Sequence, residues 1–497
     1  MRAKGFALDA PIDRRGFLAG AGALGVSLAS GASVGSLARA AGRGSGPPIR
    51  GQVIKRGAPG FVQAAHVYNE RFDGVLPSLV ARPLDATDVR TAVKWGVSNG
   101  VPLRARSGGH SYAGYSTLSR GMVLDLRNIR GISINRSAGT VTIGAGSQLI
   151  DVYAALAARG ATIPAGSCPS VGIAGHAIGG GMGLAGRRFG LTADNLVSAQ
   201  IVTADGRVRT ASSRSNPDLY WALRGGGGGN FGVVTSLTFR IHKVPATVAG
   251  FIVRWPWSRA SDALAAWQAW APHARSQLTS IFHLNGGGGT TSVNISGQYF
   301  GPARDLGRLL SPMRAVGGAS VSSGNFGYLQ AQLMWAGCSS IGLTACHTVG
   351  TRPGGTLTRE SFQAKSDYVA KPLPAAARRA LVQAAEARAN ISGSGAILFD
   401  SYGGAINRVA PSATAFVHRN VLFCMQYLSY NGGASWLNAI FGKMSPYVTG
   451  GAYFNYTDPD LKGWQTAYWG SNYRRLLEIR RQVDPHHYFN FPQAIGR

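Results

Sequence analysis

Two nucleophilic side chains set among glycines are the first candidates for chemistry in this chain. His110 lies in Arg106–Tyr112, which reads RSGGHSY, and Cys168 lies in Pro164–Gly172, which reads PAGSCPSVG. Glycine has no Cβ, so the backbone can approach a flat or charged ligand closely. If both side chains act on one cofactor, the chain is an enzyme whose cofactor is bonded to it twice. The alternatives are a loop histidine satisfied by the backbone and a buried, inert thiol.

Two glycine-rich strings invite comparison with nucleotide-binding loops. Gly179–Gly186 contains G-x-G-x-x-G, but a loop is predicted before it and Arg187–Gly190 shows no clear helix after it. A dinucleotide fingerprint needs a strand before the string and a helix opening at its last glycine. Gly225–Gly229 lacks the Lys-Ser/Thr that completes a P-loop. We therefore expect neither a nicotinamide site nor a P-loop, and interpret these strings as turns beside a ligand or a strand.

The composition indicates a large, basic, globular protein. The chain has 497 residues, 70 glycines and a formal net charge of +29, although only 14% of its residues are charged. This length predicts two or three lobes. The basic residues are scattered without interleaved aromatics, which favours a solvated basic surface over a nucleic-acid footprint. No stretch after residue 40 is long and apolar enough to predict a membrane span.

The first forty residues have the three parts of an export signal. Arg14-Arg15 is followed by a moderately apolar stretch, Phe17–Leu37, and then by Ala38-Arg39-Ala40, which has the form of a cleavage site. We expect cleavage near Ala40 and delivery to the periplasm or beyond by the twin-arginine translocase. That route carries folded proteins, which suits a cofactor loaded inside the cell.

Cys338 and Cys346 are close enough in an exported chain to suggest a local disulfide. Two buried thiols are the alternative, because sequence alone does not establish connectivity.

The chain divides by composition into five segments. Residues 1–40 are the signal, 41–75 a lead-in, 76–245 an α/β region, 246–450 an aromatic-rich region and 451–497 a tail. In the α/β region we predict a helix over Asp88–Asn99, capped by Thr87 or Asp88. In the aromatic-rich region alternating stretches predict a large antiparallel sheet with helices on one side, including a helix over Ala303–Ala315. The fold class predicted is α+β.

Several motifs together resemble one family of flavoproteins. The matching segments are Arg106–Tyr112, Gly166–Gly183, Asp194–Leu196, Trp221–Gly232, Tyr402–Gly404, His418-Arg419, Tyr453–Asp458 and Trp469–Pro485. The chain resembles the berberine-bridge-enzyme-like oxidases, which belong to the wider vanillyl-alcohol-oxidase (PCMH) type. Residues 246–395 are only loosely matched. The resemblance implies an FAD-binding domain of two α/β subdomains, a substrate domain and a C-terminal segment that returns to the FAD domain.

The resemblance also implies FAD attached by two covalent bonds. His110 would be bonded to the flavin 8α-methyl carbon and Cys168 to ring carbon six. The diphosphate would lie on the amides of Ser107–Gly109, a backbone nest suited to anions. The further cofactor contacts implied are Arg106, Ser107, Gly108, Gly109, Ser111, Val171, Gly172, Gly175, His176, Gly179, Gly180, Val202 and Asn455.

The catalytic residues implied by the resemblance are Tyr456, Gln426 and Tyr453. Tyr456 would take the proton of a substrate hydroxyl, which requires neighbours, such as Arg or Lys, that lower its pKa from about 10. A core tyrosine is the alternative. Gln426 occupies a flavin-facing position that carries a glutamate base in alkaloid-cyclising members, so ring closure is not expected here. No metal site is predicted.

The function expected is that of an exported FAD oxidase acting on an alcohol or hemiacetal carbon, with molecular oxygen as acceptor. A small residue such as Val171, at a position that controls oxygen access in the family, favours oxidase behaviour. We favour a sugar or oligosaccharide substrate over a natural-product alcohol, because Trp255, Trp257 and Trp335 are placed to stack on sugar rings unless they are core. The alternatives are a dehydrogenase with another acceptor and a non-catalytic exported binding protein.

Overall fold

The computed structural model describes residues 46–497, so the predicted export signal lies outside the described residues. Within this range the strands β1–β18 are Gln52–Lys55, Leu79–Arg82, Leu103–Arg106, Met122–Asp125, Ile132–Asn135, Thr140–Gly144, Ala161–Thr162, Leu196–Val202, Val208–Ser212, Val233–Arg240, His242–Lys243, Thr247–Trp255, Leu278–Gly287, Thr290–Tyr299, Ser320–Gly327, Phe362–Val369, Ser394–Ser401 and Phe423–Tyr430. The helices α1–α15 are Phe61–Ala65, Ala86–Ser98, Leu149–Ala157, Ile173–Ile178, Gly186–Phe189, Pro217–Ala222, Ala260–Trp270, Leu306–Leu309, Ser311–Arg314, Tyr328–Trp335, Gly342–Ala345, Ala375–Ala389, Ala434–Met444, Trp464–Trp469 and Tyr473–Val483.

Two small sheets and one large sheet hold all of these strands except β7 and β11, which pair with each other in a separate two-stranded sheet. The strand order is β1-β2-β4-β3 in the first, β5-β6-β10-β8-β9 in the second and β15-β12-β14-β13-β17-β18-β16 in the third. The large sheet is antiparallel throughout, whereas β4 runs parallel to both β2 and β3. The predicted α+β fold of two α/β subdomains and a substrate domain is confirmed.

Helix α2 packs between the two small sheets and shows how local sequence sets the fold. Its buried face, Val89, Ala92 and Val93, has the i, i+3, i+4 spacing of an amphipathic helix. Its N-cap is Asp85, whose carboxylate accepts hydrogen bonds from the amides of Thr87 and Asp88. The predicted caps were wrong because the Asp88 carboxylate is buried and instead accepts from the Leu84 and Gly51 amides.

Helices α7, α12 and α13 cover one face of the large sheet around the buried Trp267, and α10 packs against β12 and β15 on the other face. The helix predicted over Ala303–Ala315 is instead two short helices, α8 and α9, after a turn. Pro312 sits at the start of α9, where its missing amide hydrogen is tolerated, but it cannot continue α8.

Cys338 and Cys346 form a disulfide, with Cα atoms 5.6 Å apart. It closes the loop around α11, and both residues are fully buried. The disulfide is therefore the correct one of the two alternatives. No helix within residues 46–497 has the length and apolar character to cross a bilayer.

One carboxyl group beneath the large sheet makes stability depend on pH. Asp367 on β16 accepts a hydrogen bond from the Tyr427 hydroxyl at 2.9 Å, and Lys365 and Asp458 lie close to it. Burial raises its pKa to about 7 against the opposing effects of Tyr427 and Lys365. The folded chain therefore holds a proton that the unfolded chain releases near pH 4, so stability falls as pH rises between these values.

We expect the Asp367→Asn variant to lose this dependence. Between pH 5 and pH 8 the natural chain should lose about 3 kcal/mol of unfolding free energy relative to the variant. Urea unfolding of both proteins at the two pH values measures the difference. The control is the exposed Asp262, changed to Asn. This variant should keep the pH dependence of the natural chain, because Asp367 is still present. Parallel pH profiles for the natural chain and Asp367→Asn would contradict the prediction.

Candidate active site

A deep cavity lies where the small sheets meet the face of the large sheet opposite α7, α12 and α13. It encloses about 1930 Å³ of empty space, part of it open to solvent. Arg104, Phe491, Asp400, Gln426 and Tyr456 are among the residues that line it. The cavity is thus shared by both predicted domains and by the tail.

His110 and Cys168 both line this cavity, so the structure brings the two predicted anchors together. Their loops touch backbone to backbone. A β-carbon on Gly108 would lie 2.2 Å from the Gly172 amide nitrogen, and one on Gly172 would lie 2.0 Å from the Ser107 hydroxyl oxygen. The glycines beside the two nucleophiles therefore allow the two loops to meet at one site.

Nine of the other predicted cofactor residues line the cavity as well: Ser107, Gly108, Gly109, Ser111, Val171, Gly172, Gly175, His176 and Asn455. Gly109 has a φ of +73°, in the left-handed region that glycine favours. The amides of Gly108 and Gly109 donate no hydrogen bond to any described residue. The Tyr115 and Ser116 hydroxyls are buried there without a hydrogen-bond partner in the described chain. These donors fit a cofactor with a diphosphate and polar edges.

Four predicted cofactor residues do not line the cavity. The Arg106 guanidinium instead pairs with Asp125 at 3.1 Å and donates to the Ala65 and His66 carbonyls. Val202 is fully buried at the end of β8, where it pairs with Val233. Gly179 and Gly180 lie against the tail and a neighbouring loop. A β-carbon on Gly179 would lie 2.0 Å from the Asn455 side chain, and one on Gly180 would lie 2.9 Å from the Phe416 ring.

His176 is a neutral acceptor within the glycine-rich wall. Its Nε2 accepts a hydrogen bond from the Gly166 amide at 3.0 Å, which places its own hydrogen on Nδ1. Burial lowers its pKa to about 4. Within residues 46–497 no three His, Cys, Asp or Glu side chains are grouped to hold a metal ion.

A connected set of polar and aromatic side chains lies in the wall of the cavity. The Tyr456 hydroxyl donates to the Asp400 carboxylate at 3.3 Å. The Tyr456 ring stacks on Tyr112 at 5.5 Å between centroids, and the Gln426 amide donates to the Tyr112 hydroxyl at 2.9 Å. Tyr456, Gln426 and the loop that carries His110 and Tyr112 thus meet at one place, and Asp400 joins them.

The environment of Tyr456 opposes its acting as a base alone. Burial raises its pKa well above 10, and the Asp400 carboxylate raises it further. The expected lowering by Arg or Lys was wrong, because the groups that act on Tyr456 are Asp400, Tyr112, Cys424 and Tyr453. Tyr456 can accept a proton from a substrate only if its own proton moves to Asp400.

Tyr453 is part of the cavity wall and holds its neighbours in place through hydrogen bonds. Its hydroxyl oxygen accepts hydrogen bonds from the amides of Gly181 and Met182 at 2.9 and 3.2 Å, and from the Asn455 side chain at 2.9 Å. Burial raises its pKa, and these donors oppose the rise. Tyr453 therefore holds the glycine-rich loop against the tail.

The three tryptophans expected to stack on sugars do not line the cavity. Trp255 is buried in the core beneath the large sheet, where Trp257 also packs and donates to Glu386 on α12. The Trp335 indole donates to Gln298 at 3.0 Å. The core alternative is correct for Trp255, and the aromatic side chains that line the cavity are tyrosines, phenylalanines and histidines.

Comparison with known proteins decides the family. The FAD binding domain model matches residues 77–212, and the berberine and berberine-like model matches residues 452–496. The uncharacterized FAD-linked oxidoreductase YgaK of Bacillus subtilis is 32% identical, over 90% of this chain and 97% of that protein. The chain belongs to the berberine-bridge-enzyme-like family of FAD-linked oxidoreductases.

Solved structures of a berberine-bridge-like protein and of two oligosaccharide oxidases share the fold over most of the chain. BBE-like 1 of Physcomitrella patens is 33% identical with a TM-score of 0.83, covering 90% of this chain and 97% of its own. A chitooligosaccharide oxidase is 26% identical with a TM-score of 0.81, covering 90% and 97%. The xylooligosaccharide oxidase of Myceliophthora thermophila C1, solved with xylobiose, is 27% identical with a TM-score of 0.80, also covering 90% and 97%.

Sequence reasoning missed three residues of this berberine-bridge-like site. Asp400 ends the apolar run Ala396–Phe399, and an acid there is a signal that could have marked it. Asp458, within the Tyr453–Asp458 motif, pairs with buried Lys365 on β16 at 2.7 Å and ties the Tyr456 segment to the large sheet. Tyr68, which stacks on His110, lies in the lead-in and gave no signal.

Proposed function

We propose that this protein is an exported oxidase that holds FAD through His110 and Cys168 and oxidises a CH–OH carbon of a sugar or oligosaccharide. The observation that carries the proposal is the Tyr456–Asp400 pair, which lies in the same cavity as both anchor side chains. The pair supplies a proton acceptor, and the glycine-lined wall supplies the cofactor cradle. Both are needed to remove a hydride and a proton from an alcohol.

One set of residues would bind the cofactor, and Tyr456 with Asp400 would deprotonate the substrate hydroxyl. The amides of Gly108 and Gly109 would take the diphosphate, and His176, Asn455 and Val171 would flank the flavin. When bound, the flavin supplies a hydride acceptor that molecular oxygen reoxidises, giving hydrogen peroxide. Tyr456 takes the hydroxyl proton of the substrate as its own proton passes to Asp400, which keeps a full charge off the buried phenol.

The substrate class is supported by the surface that continues from the cavity. Thr279 and Ile281 on β13 line the cavity, and His283 and Asn285 follow on the same face at alternating positions. His283 bonds to Ser296 and Asn285 to Ser292, so this strip is polar and partly exposed. Two structural neighbours are oligosaccharide oxidases by name. A polar strip leading away from the reacting end suits a hydroxyl-rich chain.

A peroxide assay under air tests the proposal. The purified protein is offered reducing mono- and oligosaccharides and simple alcohols, and each reaction is repeated anaerobically to follow bleaching of the flavin band. We expect peroxide with a reducing sugar, formed about 10³-fold more slowly by Tyr456→Phe. Anaerobic bleaching with slow return in air would overturn the oxidase in favour of a dehydrogenase. A colourless protein that reacts with none of these compounds would contradict the proposal that the chain is a flavin-dependent enzyme.

Export rests on the sequence of residues 1–40. The full chain should be found outside the cytoplasm in a host with the twin-arginine translocase. Arg14→Lys together with Arg15→Lys should hold it inside. Unchanged export of that double variant would contradict the proposed route.

A further inference from the structure

Two residues with no assigned role hold the imidazole of His110 from two sides. The Tyr68 ring stacks on it, with 3.9 Å between ring centroids and 19° between planes. The Ser170 hydroxyl lies 2.9 Å from its Nε2. One contact fixes the plane of the ring, and the other fixes one of its nitrogens.

Tyr68 is itself firmly placed. Its amide donates to the Gly109 carbonyl at 3.0 Å, so it is tied to the loop that carries His110. The next residue, Asn69, donates to the Phe362 carbonyl at 2.9 Å and is 1% exposed. Arg106, which precedes the loop, donates to the carbonyl of His66 at 3.1 Å. The stack is therefore part of the packed interface among lead-in, flavin loop and large sheet.

Ser170 belongs to the loop of the second anchor. It lies two residues after Cys168 and is 3% exposed. Its bond to His110 therefore crosses between the two anchor loops, beside the backbone contact of Gly108 with Gly172. The loop that carries the sulfur anchor thus also orients the nitrogen anchor.

We propose that Tyr68 and Ser170 are positioning residues that prepare His110 to form its bond to the flavin. This inference rests on the proposed attachment through His110. The Ser170 oxygen accepts the Nε2 hydrogen, which puts the reactive lone pair on Nδ1. The Tyr68 ring holds the imidazole plane while Nδ1 attacks, since a nucleophile reacts fast only when it is held near its attack geometry.

The covalent step balances with molecular oxygen as oxidant. A bond forms between Nδ1 and the flavin 8α-methyl carbon, and that carbon loses one hydrogen as a proton. The imidazole loses its Nε2 proton, and this proton and the one from the methyl carbon are the two that oxygen takes up. The two electrons released remain on the flavin ring until oxygen takes them with two protons, giving hydrogen peroxide.

The test uses full-length Cys168→Ala protein, in which any acid-stable flavin must be attached elsewhere. Further changes are made in that background: Tyr68→Ala and Ser170→Ala, with Tyr68→Phe and Ser170→Thr as matched controls that keep the ring and the hydroxyl. Protein from flavin-starved cells is mixed with FAD in air, and acid-precipitable flavin absorbance is followed with time. Total bound FAD before acid and the melting temperature are measured in parallel.

We expect Tyr68→Ala and Ser170→Ala to slow attachment by about tenfold to a hundredfold while total bound FAD stays full. The Phe and Thr controls should restore the rate. If all variants attach flavin as fast as Cys168→Ala, the positioning role is wrong and the proposed attachment stands. If Cys168→Ala itself binds FAD but never holds it through acid, the attachment through His110 is wrong, and the inference falls with it. If Tyr68→Ala fails to fold, the attachment rate of Ser170→Ala, which removes only a hydroxyl, decides whether the positioning role is correct.

Discussion

Tyr456→Phe and Asp400→Asn are each expected to lower kcat for the best substrate by about 10³-fold, within the range that a positioned acid–base group contributes. Each change removes one end of the proton path from the substrate hydroxyl. The Tyr456 phenol has a pKa well above 10 because it is buried beside a carboxylate, so it cannot accept a proton unless it passes its own to Asp400. The measurement is the anaerobic rate of flavin bleaching.

The double variant separates a pair from two independent groups. If the two side chains act as one unit, Tyr456→Phe with Asp400→Asn should be no slower than either single variant. Tyr447→Phe and Asp262→Asn, which do not line the cavity, should keep the full rate. Multiplied effects in the double variant, or full activity in Asp400→Asn, would contradict the proton path.

Arg419→Leu should destabilise the folded chain by about 3–5 kcal/mol, the cost of leaving a buried partner charge alone. The Arg419 guanidinium is fully buried and binds both oxygens of Asp194, at 2.7 and 2.9 Å. Asp194 follows the glycine-rich wall, and Arg419 precedes β18, which carries Gln426. The pair therefore joins the segment after the glycine-rich wall to the segment that leads into the large sheet.

Thermal unfolding measures the effect against a surface pair of the same chemistry. Arg474 and Glu478 lie 3.4 Å apart on α15 with their side chains 91% and 54% exposed. Arg474→Leu should change stability by less than about 1 kcal/mol, since water screens such pairs. Equal losses for Arg419→Leu and Arg474→Leu would show that the buried pair is not what joins the two segments.

The sequence predicted the parts of the site that are local in the chain. The fold class and the placement of both anchor loops beside one cavity follow from short motifs, because glycines and nucleophiles at fixed spacing reflect what a backbone must do there. The disulfide remained open because connectivity depends on a Cα separation that only the folded chain defines.

The parts that escaped prediction depend on long-range contacts. Asp400 meets Tyr456 across 56 residues, and Tyr68 meets His110 across 42, through packing that no local pattern encodes. Arg106 was assigned to the cofactor because it stands in the motif, yet its guanidinium turns to Asp125. Membership of a motif gives a position along the backbone and does not give the direction of a side chain.

Attachment of flavin through His110 and Cys168 is the central claim of the proposed function, and acid denaturation tests it most directly. The natural chain, His110→Ala, Cys168→Ala and the double variant are precipitated in acid, and the pellets are digested for mass spectrometry. We predict flavin on both anchor peptides of the natural chain, on the remaining one in each single variant, and on neither in the double. Unmodified His110 and Cys168 peptides from a natural chain that had bound FAD would contradict the account.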